Sequence, residues 1–464
     1  MSSRSPITAI STSIVAGAIL ACTTISCLQS PPVSTSKDAQ IQQTNSSPIE
    51  SSPHICDISR LERDVAFFAS DDLAGRGLGS AGLQTAQNYI AERFRLLGLK
   101  PAYPDKSSSG KHADYFQEFT AHGYPATANV IGILPGTENA SSQAIVIGAH
   151  IDHLGTDPQL TGDQIFNGAE DNASGVAALL EIARLLTNWR VDLKNTPNSL
   201  KDNPTADPLA LRTIIFAVFS AEEVGLLGSQ HYVRNPVTPA SATLAMINLD
   251  SVGRLRDDQL YVFGTGSAQE MPSILDGLSQ AYNFNLITQS SGIGASDQNS
   301  FLTTEIPAIH FFTGPHEDYH KVSDEIDKVN FAGLERVTNY ASELARYLAY
   351  RHRPLTYVPG SKQQQIKIEK MNKKGNRKVS IGFMPDFAME SGGVKVGPVF
   401  PGGPAAEVGI QTGDIIVAID NEVVDSLIDY STILRDHAPG DTISLTIKRG
   451  AESLPLKVVL QERK

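Results

Sequence analysis

Ala144-Ile-Val-Ile-Gly-Ala-His150-Ile-Asp152 opens as an uninterrupted apolar run and closes on an imidazole and a carboxylate two positions apart. A run this short, with no polar alternation, reads as a strand buried on both faces. Two more runs of the kind follow, Thr213-Ile-Ile-Phe-Ala-Val-Phe219 and Leu244-Ala-Met-Ile-Asn-Leu249. Between and before them the period changes. Leu83, Ala86, Ile90, Phe94 and Leu97 recur at helical steps, and Gly98 is placed to end that helix in a left-handed cap. Val176 to Leu186 reads as a second helix, capped by Asn172 or Ser174. Buried strands separated by helices predict an α/β fold: a mixed, largely parallel central sheet flanked by helices.

The whole chain has 464 residues, which suggests two or three domains. Its formal charge is 38 − 50 = −12, and its apolar fraction of 41% supports a sizeable core. An acidic chain excludes nucleic acid as the main partner, because phosphate binding needs a basic surface. The three cysteines, Cys22, Cys27 and Cys56, all lie near the N-terminus, which excludes a disulfide scaffold and a thiolate zinc finger.

Residues 1–27 read as an export segment. Arg4 precedes the apolar run Ile14 to Ala21, which is too short to span a bilayer. Ile19-Leu-Ala-Cys22 resembles a bacterial lipoprotein cleavage box, with Ser26-Cys27 as a second candidate. The expectation is an exported protein, either periplasmic or secreted or held at the cell envelope through a lipidated Cys22. Residues 28–53 are rich in Ser, Pro, Thr and Gln and read as a disordered tether. The main domain is expected at 54–350, with 188–209 as a polar surface insertion. Residues 351–378 hold nine Lys/Arg and one acid, a basic linker that is either solvated or touches anionic lipid. Residues 379–464 alternate short Val/Ile strands with glycine and read as a small β-rich domain.

Polar residues of metal-ligand type cluster where the apolar runs end. The first run ends in His150-Ile-Asp152, the second continues into Ser220-Ala-Glu222-Glu223, and the third ends in Asp250. In open α/β sheets ligands sit beyond the carboxyl ends of the strands, so these ends are expected to converge. Gly168-Ala-Glu-Asp171-Asn-Ala-Ser-Gly175 opens the second helix, and Tyr319-His320 lies in a loop further on. Imidazole with carboxylate is the donor set of catalytic zinc. Two metals can be served by so few histidines if one carboxylate bridges them.

At these residues the chain resembles the co-catalytic di-zinc exopeptidases, the family of bacterial and fungal aminopeptidases. The matching segments are Asp72-Leu-Ala-Gly-Arg76 with Gly79-Ser-Ala-Gly82, Gly148-Ala-His150-Ile-Asp152, Gly168 to Gly175, Ser220 to Gly225, Asn248-Leu-Asp250-Ser-Val-Gly253, and Asp318-Tyr-His320 followed by Asp324. The resemblance covers residues 60–350 and implies two Zn2+ per chain. His150 and Asp250 would hold one, Glu223 and His320 the other, and Asp171 would bridge. Glu222 would be the general base, and Asp152 would accept the His150 ring N–H. A cis peptide after Asp171 is also implied. The implied activity is metal-dependent peptide hydrolysis at the N-terminus of peptide or protein substrates. A glutaminyl cyclase or a zinc carboxypeptidase on the same scaffold remains open, as does a catalytically idle protein that binds peptides.

Two motif matches are set aside. His316-Glu-Asp-Tyr-His320 fits a single-zinc pattern that requires a helix, but Gly314-Pro315 precedes it. His316 is then a loop residue near the site mouth. Gly77-Leu-Gly79-Ser-Ala-Gly82 has the glycine spacing of a dinucleotide loop but follows no strand. His310, inside an apolar run, is expected in the core. Residues 379–464 resemble a PDZ domain, through Val399-Phe-Pro-Gly-Gly-Pro404 and Gly409-Ile-Gln-Thr-Gly413-Asp-Ile-Ile-Val-Ala-Ile-Asp420. That resemblance implies a C-terminal peptide ligand received by the amides of Gly382, Phe383 and Met384, with Pro385 weakening strand addition.

Overall fold

The apolar runs predicted as strands carry side chains to two faces, and each face feeds a different core. Ile145, Ile147 and Ala149 join one cluster with Ile214, Phe216, Val218, Ala245, Ile247 and Leu249. Ala144, Val146, Ile215, Ala217, Phe219 and Met246 join a second on the opposite face. A strand covered on both sides gains nothing from polar alternation, and for that reason the runs are continuous. The structure, a computed structural model, describes residues 55–104, 112–120, 123–195, 210–292, 296–359, 377–386 and 392–462. The export segment and tether, residues 1–53, lie outside the described residues.

The first sheet has nine strands: β1 (Lys100–Pro101), β2 (Phe116–Phe119), β3 (Thr127–Leu134), β4 (Ala144–His150), β5 (Thr213–Phe219), β6 (Thr243–Leu249), β7 (Gln259–Phe263), β8 (Asn285–Gln289) and β9 (Ala308–Phe312). Their order is β1-β3-β5-β4-β6-β9-β7-β8, with β2 also on β3. The centre, β5-β4-β6-β9, is parallel throughout. The strands on either side join it antiparallel, β3 on β5 and β7 on β9. Helices α1 (Ile58–Phe68), α2 (Ala81–Leu96), α3 (Gly175–Asn195), α5 (Met271–Tyr282) and α7 (Phe331–Tyr350) cover one face, while α4 (Leu227–Arg234) and α6 (Gln298–Leu302) cover the other. Among the described residues no helix is long and apolar enough to cross a membrane.

The expected α2 forms on the predicted face, and Gly98 takes a φ of 74° at its end. Two expectations need correction. The polar insertion begins later than residue 188, because α3 runs on to Asn195. Trp189 lies under the Arg346 guanidinium at 5.2 Å, and Arg190 donates to the Arg212 carbonyl at 2.5 Å. These partners come from distant segments, which local composition cannot reveal. The basic linker also begins later than residue 351. The Thr356 amide donates to Glu270 at 2.9 Å and the Val358 amide to the Ser267 carbonyl at 3.0 Å, so the chain stays on the first domain through Val358. Residues 360–376 lie outside the described residues.

The C-terminal region builds its own core around Val379, Ile381, Val396, Ile416, Leu434, Ile443 and Ile447. Its strands are β10 (Val379–Ser380), β11 (Phe383–Pro385), β12 (Val394–Val399), β13 (Ile415–Ile419), β14 (Glu422–Val423), β15 (Thr442–Arg449), β16 (Glu452–Val459) and β17 (Gln461–Glu462). The order is β11-β12-β13-β15-β16, with β14 on β13 and β10 paired to β17. Two helices complete it, α8 (Pro404–Glu407) and α9 (Leu427–Leu434). A reciprocal Ser426–Asp429 capping box starts α9. The Gly382 amide, expected to receive a peptide carboxylate, donates instead to the Ser380 hydroxyl at 3.1 Å. Phe383 buries its ring against Tyr430, with centroids 5.7 Å apart.

Candidate metal centre

Because β4, β5, β6 and β9 run parallel, their carboxyl ends open on one edge of the sheet. His150 is the last residue of β4, Glu222 and Glu223 follow β5, Asp250 follows β6, and His320 lies on the turn after β9. Asp171 enters from the irregular turn 169–174 that precedes α3, and its bond to Asn172 is cis.

Several buried contacts fix that turn. The Arg76 guanidinium is fully buried and donates to the carbonyls of Phe68, Ile151 (2.9 Å), Asn167 (2.7 Å) and Gly168 (3.0 Å). It ties the segment before Asp171 to the end of β4. Beside it, Gly75 has a φ of 66°, and a Cβ there would stand 2.2 Å from the Gly155 carbonyl oxygen. The Asp72-Leu-Ala-Gly-Arg76 segment is thus a brace for the site. From the other side Asp324 accepts the amides of Glu170 and Asp171 at 3.0 and 3.1 Å. Arg254 pairs with Glu170 at 2.9 Å, Asp318 at 2.7 Å and Asp324 at 3.0 Å.

Asp171 divides its oxygens. Oδ1 lies 3.3 Å from His150 Nε2, which is also 3.3 Å from Asp250 Oδ1. Oδ2 lies 3.1 Å from His320 Nε2, which is 3.2 Å from Glu223 Oε2. Tetrahedral zinc with bonds of about 2.0–2.1 Å sets neighbouring donor atoms roughly 3.3 Å apart. Ligand atoms of His150, Asp171 and Glu223 all lie within 4.8 Å of one another. The buried His320 Nε2 makes no hydrogen bond despite its two close carboxylates. Each imidazole nitrogen faces two carboxylate oxygens at once, at the spacing of co-ligands, so these residues fit a pair of divalent cations.

Charge agrees with geometry. Burial opposes protonation of His320, but Glu223 and Asp171 outweigh it and raise its pKa to about 10. Burial likewise opposes ionisation of Glu223, yet His320 and His153 hold its carboxyl far below the usual range. The site is a well of negative potential that draws positive charge to its centre. Glu222 goes the other way. Burial first, then Glu223, Asp297 and Asp250, push its carboxyl well above the ordinary value against the pull of His150.

Asp152 departs from expectation. His150 Nδ1 donates to the Asp152 backbone carbonyl at 3.1 Å, not to its carboxylate. A carbonyl only accepts, so this bond leaves the lone pair on Nε2, facing Asp171 and Asp250. The Asp152 carboxylate is spent on the amides of Glu222 (3.1 Å) and Glu223 (3.3 Å), which β5 leaves without strand partners. His316 is buried with Nε2 3.3 Å from Glu170, so it lies beneath the site and not at its mouth. His310 lies in β9 and is buried.

Sequence reasoning missed two residues. His153 Nδ1 donates to Glu223 Oε1 at 2.7 Å and fixes the carboxylate whose other oxygen faces His320. Asp297 is buried with both oxygens lacking a hydrogen bond, and burial raises its pKa to about 7. The spacing His150-Ile-Asp-His153 was available as a signal. Nothing near Asp297 in the chain pointed to the site.

Residues 129–345 match the model of peptidase family M28, and residues 379–460 match that of the PDZ domain. The chain is 25% identical over 264 residues to leucine aminopeptidase 2 of Trichophyton rubrum, covering 50% of this chain and 47% of that one. It is 26% identical over 251 residues to aminopeptidase YwaD of Bacillus subtilis, covering 52% and 48%. The chain thus spans about half the length of the relatives it matches. The solved structure of BSAP, a zinc aminopeptidase from Bacillus subtilis, is similar with a TM-score of 0.48 and 17% identity, over 66% of this chain and all of that one.

Proposed function

We propose, for a chain that joins a peptidase family M28 region to a PDZ domain, that it is a zinc-dependent aminopeptidase. The observation that carries the proposal is the division of Asp171, one oxygen toward His150 and Asp250 and the other toward His320 and Glu223. Those five residues would hold two Zn2+. Bound zinc supplies Lewis acidity toward a carbonyl oxygen and lowers the pKa of water. Glu222, which none of the four close pairs uses, takes the proton of the attacking water and returns it to the leaving amine. Burial and the neighbouring carboxylates shift its carboxyl upward, the direction that helps a base act afterwards as an acid. Asp152 holds the Glu222 and Glu223 backbone so that neighbouring residues keep separate tasks. The negative field favours a substrate whose free α-ammonium lies near the reacting bond. Residues 1–27 put the enzyme outside the cytoplasm on this reading, with Cys22 as the lipid anchor. The C-terminal region then offers β11 as an edge for a peptide strand.

A panel of three substrates tests the activity. Leucyl peptides with a free amine are expected to be hydrolysed, and their N-acetylated forms to lose at least a hundredfold in rate. Release of ammonia from N-terminal Gln peptides, with no hydrolysis of the leucyl ones, would replace the aminopeptidase by a cyclase. Cleavage of blocked peptides from their free carboxyl end would replace it by a carboxypeptidase.

A further inference from the structure

His320 lies on a turn between β9 and α7, outside any strand or helix. Its φ is 57°, in the left-handed region, and its side chain is more exposed than those of the other four proposed ligands. The inner side of the turn is anchored through Asp318, which pairs with Arg254 and Lys328. The outer side is anchored by rings. Tyr319 stacks on the His320 imidazole with centroids 3.9 Å apart and planes 18° apart. Tyr319 also packs against Phe263 and Phe312, the ends of β7 and β9.

A third ring on that pair comes from the PDZ domain. Phe400 packs against Phe263 and Phe312 together with Tyr261 and Tyr319. The Lys321 ammonium lies 5.4 Å from the Phe400 ring centroid. The residues on both sides of His320 are therefore engaged with Phe400 or with the aromatic pair it covers. Phe400 follows β12 directly and takes no part in the PDZ core. Its amide donates to the Gly382 carbonyl at 3.0 Å and its carbonyl accepts from Gly403 at 3.1 Å, so its backbone is fixed and its ring faces the other domain. Asp386 and Lys395 of the PDZ domain reach the same place, where both act on the Tyr261 phenol.

Given a metal at His320, we propose that Phe400 is a positioning residue for the Tyr319-His320-Lys321 turn, so that the PDZ domain completes the metal centre from outside. A ligand on an irregular turn keeps its aim only if its neighbours are packed, and partners beyond the ligand shell tune metal affinity by ten- to a hundredfold. A PDZ domain that only recruited substrate through its linker would place no side chain against this turn.

The test is a titration of the metal-free full chain with Co(II), followed in the visible spectrum, beside kcat and KM on a leucyl peptide. In Phe400→Ala the first ion should bind as in the parent and the second about tenfold more weakly. At saturating metal kcat should fall about tenfold, with KM within twofold. Phe400→Tyr should restore both. If Phe400→Ala does not fold, Lys321→Met, which removes only the ammonium over the ring, should weaken the second ion about threefold. Parental affinity for the second ion in either folded variant overturns the proposal, as does a parent that takes up no second ion. A parent that binds two ions but hydrolyses nothing refutes the peptidase reading alone, and the titration still decides the role of Phe400.

Discussion

Asp171 and Glu222 are both buried carboxylates that feel the His150 imidazole, yet their surroundings drive them apart. Asp171 is held ionised because the close imidazoles of His150, His320 and His153 outweigh its burial. Glu222 lacks that balance and is pushed toward the acid form. Replacing Glu222 by Gln keeps size and removes the base, so zinc content should stay at the parent level while kcat falls by about a hundred- to ten-thousandfold. Metal analysis and steady-state kinetics on the same preparation check this. His316 makes a separate prediction about pH. Burial and the nearby Arg254 and Arg256 lower its pKa to about 3, from the ordinary 6.5. Between those values the unfolded chain holds a proton that the folded one refuses, so stability falls as pH drops below 6.5. His316→Gln should remove that loss. Compared in metal-free protein by urea unfolding at pH 7 and pH 5, the parent should lose on the order of 2 kcal/mol more than the variant. An equal loss in both would mean that His316 is charged in the fold.

The elements show what the chain could and could not reveal locally. The strands were legible because two-sided burial leaves unbroken apolar runs, and their polar ends were legible because parallel strands gather those ends on one edge. His150, Glu222, Glu223 and Asp250 were readable as candidates for that reason, and Asp171 and His320 through the resemblance of their segments to a known family. The carboxylate of Asp152 was misread, because its true partners are backbone amides beyond β5, which no side-chain pattern advertises. His153 and the continuation of α3 were missed for a like reason. Their partners, Glu223 in one case and Arg212 and Arg346 in the other, are distant in sequence. Arg76 is the strongest such case, since one side chain satisfies four carbonyls from three segments. Arg76→Met would remove the guanidinium donors from the carbonyls of Phe68, Ile151 and Asn167, while Gly168 would keep only the Ala173 amide. It should cost about 3–5 kcal/mol in urea unfolding and loosen the turn that carries Asp171. A loss below about 1 kcal/mol would mean that the segment reorganises around the shorter apolar side chain.

At the scale of the molecule, the Phe263–Phe312 pair sits where β7 and β9 end and where Phe400 of the second core arrives. This contact was not legible in the sequence. A single phenylalanine after a strand carries no mark of the surface that receives it. The account as a whole depends on a centre that takes two cations with one carboxylate between them. Zinc per chain, measured by elemental analysis and located by anomalous scattering in crystals, tests that directly. The account predicts two ions in the parent, flanking Asp171, and fewer than one in Asp171→Ala. A parent with a single ion, or with two ions that do not share Asp171, would contradict it.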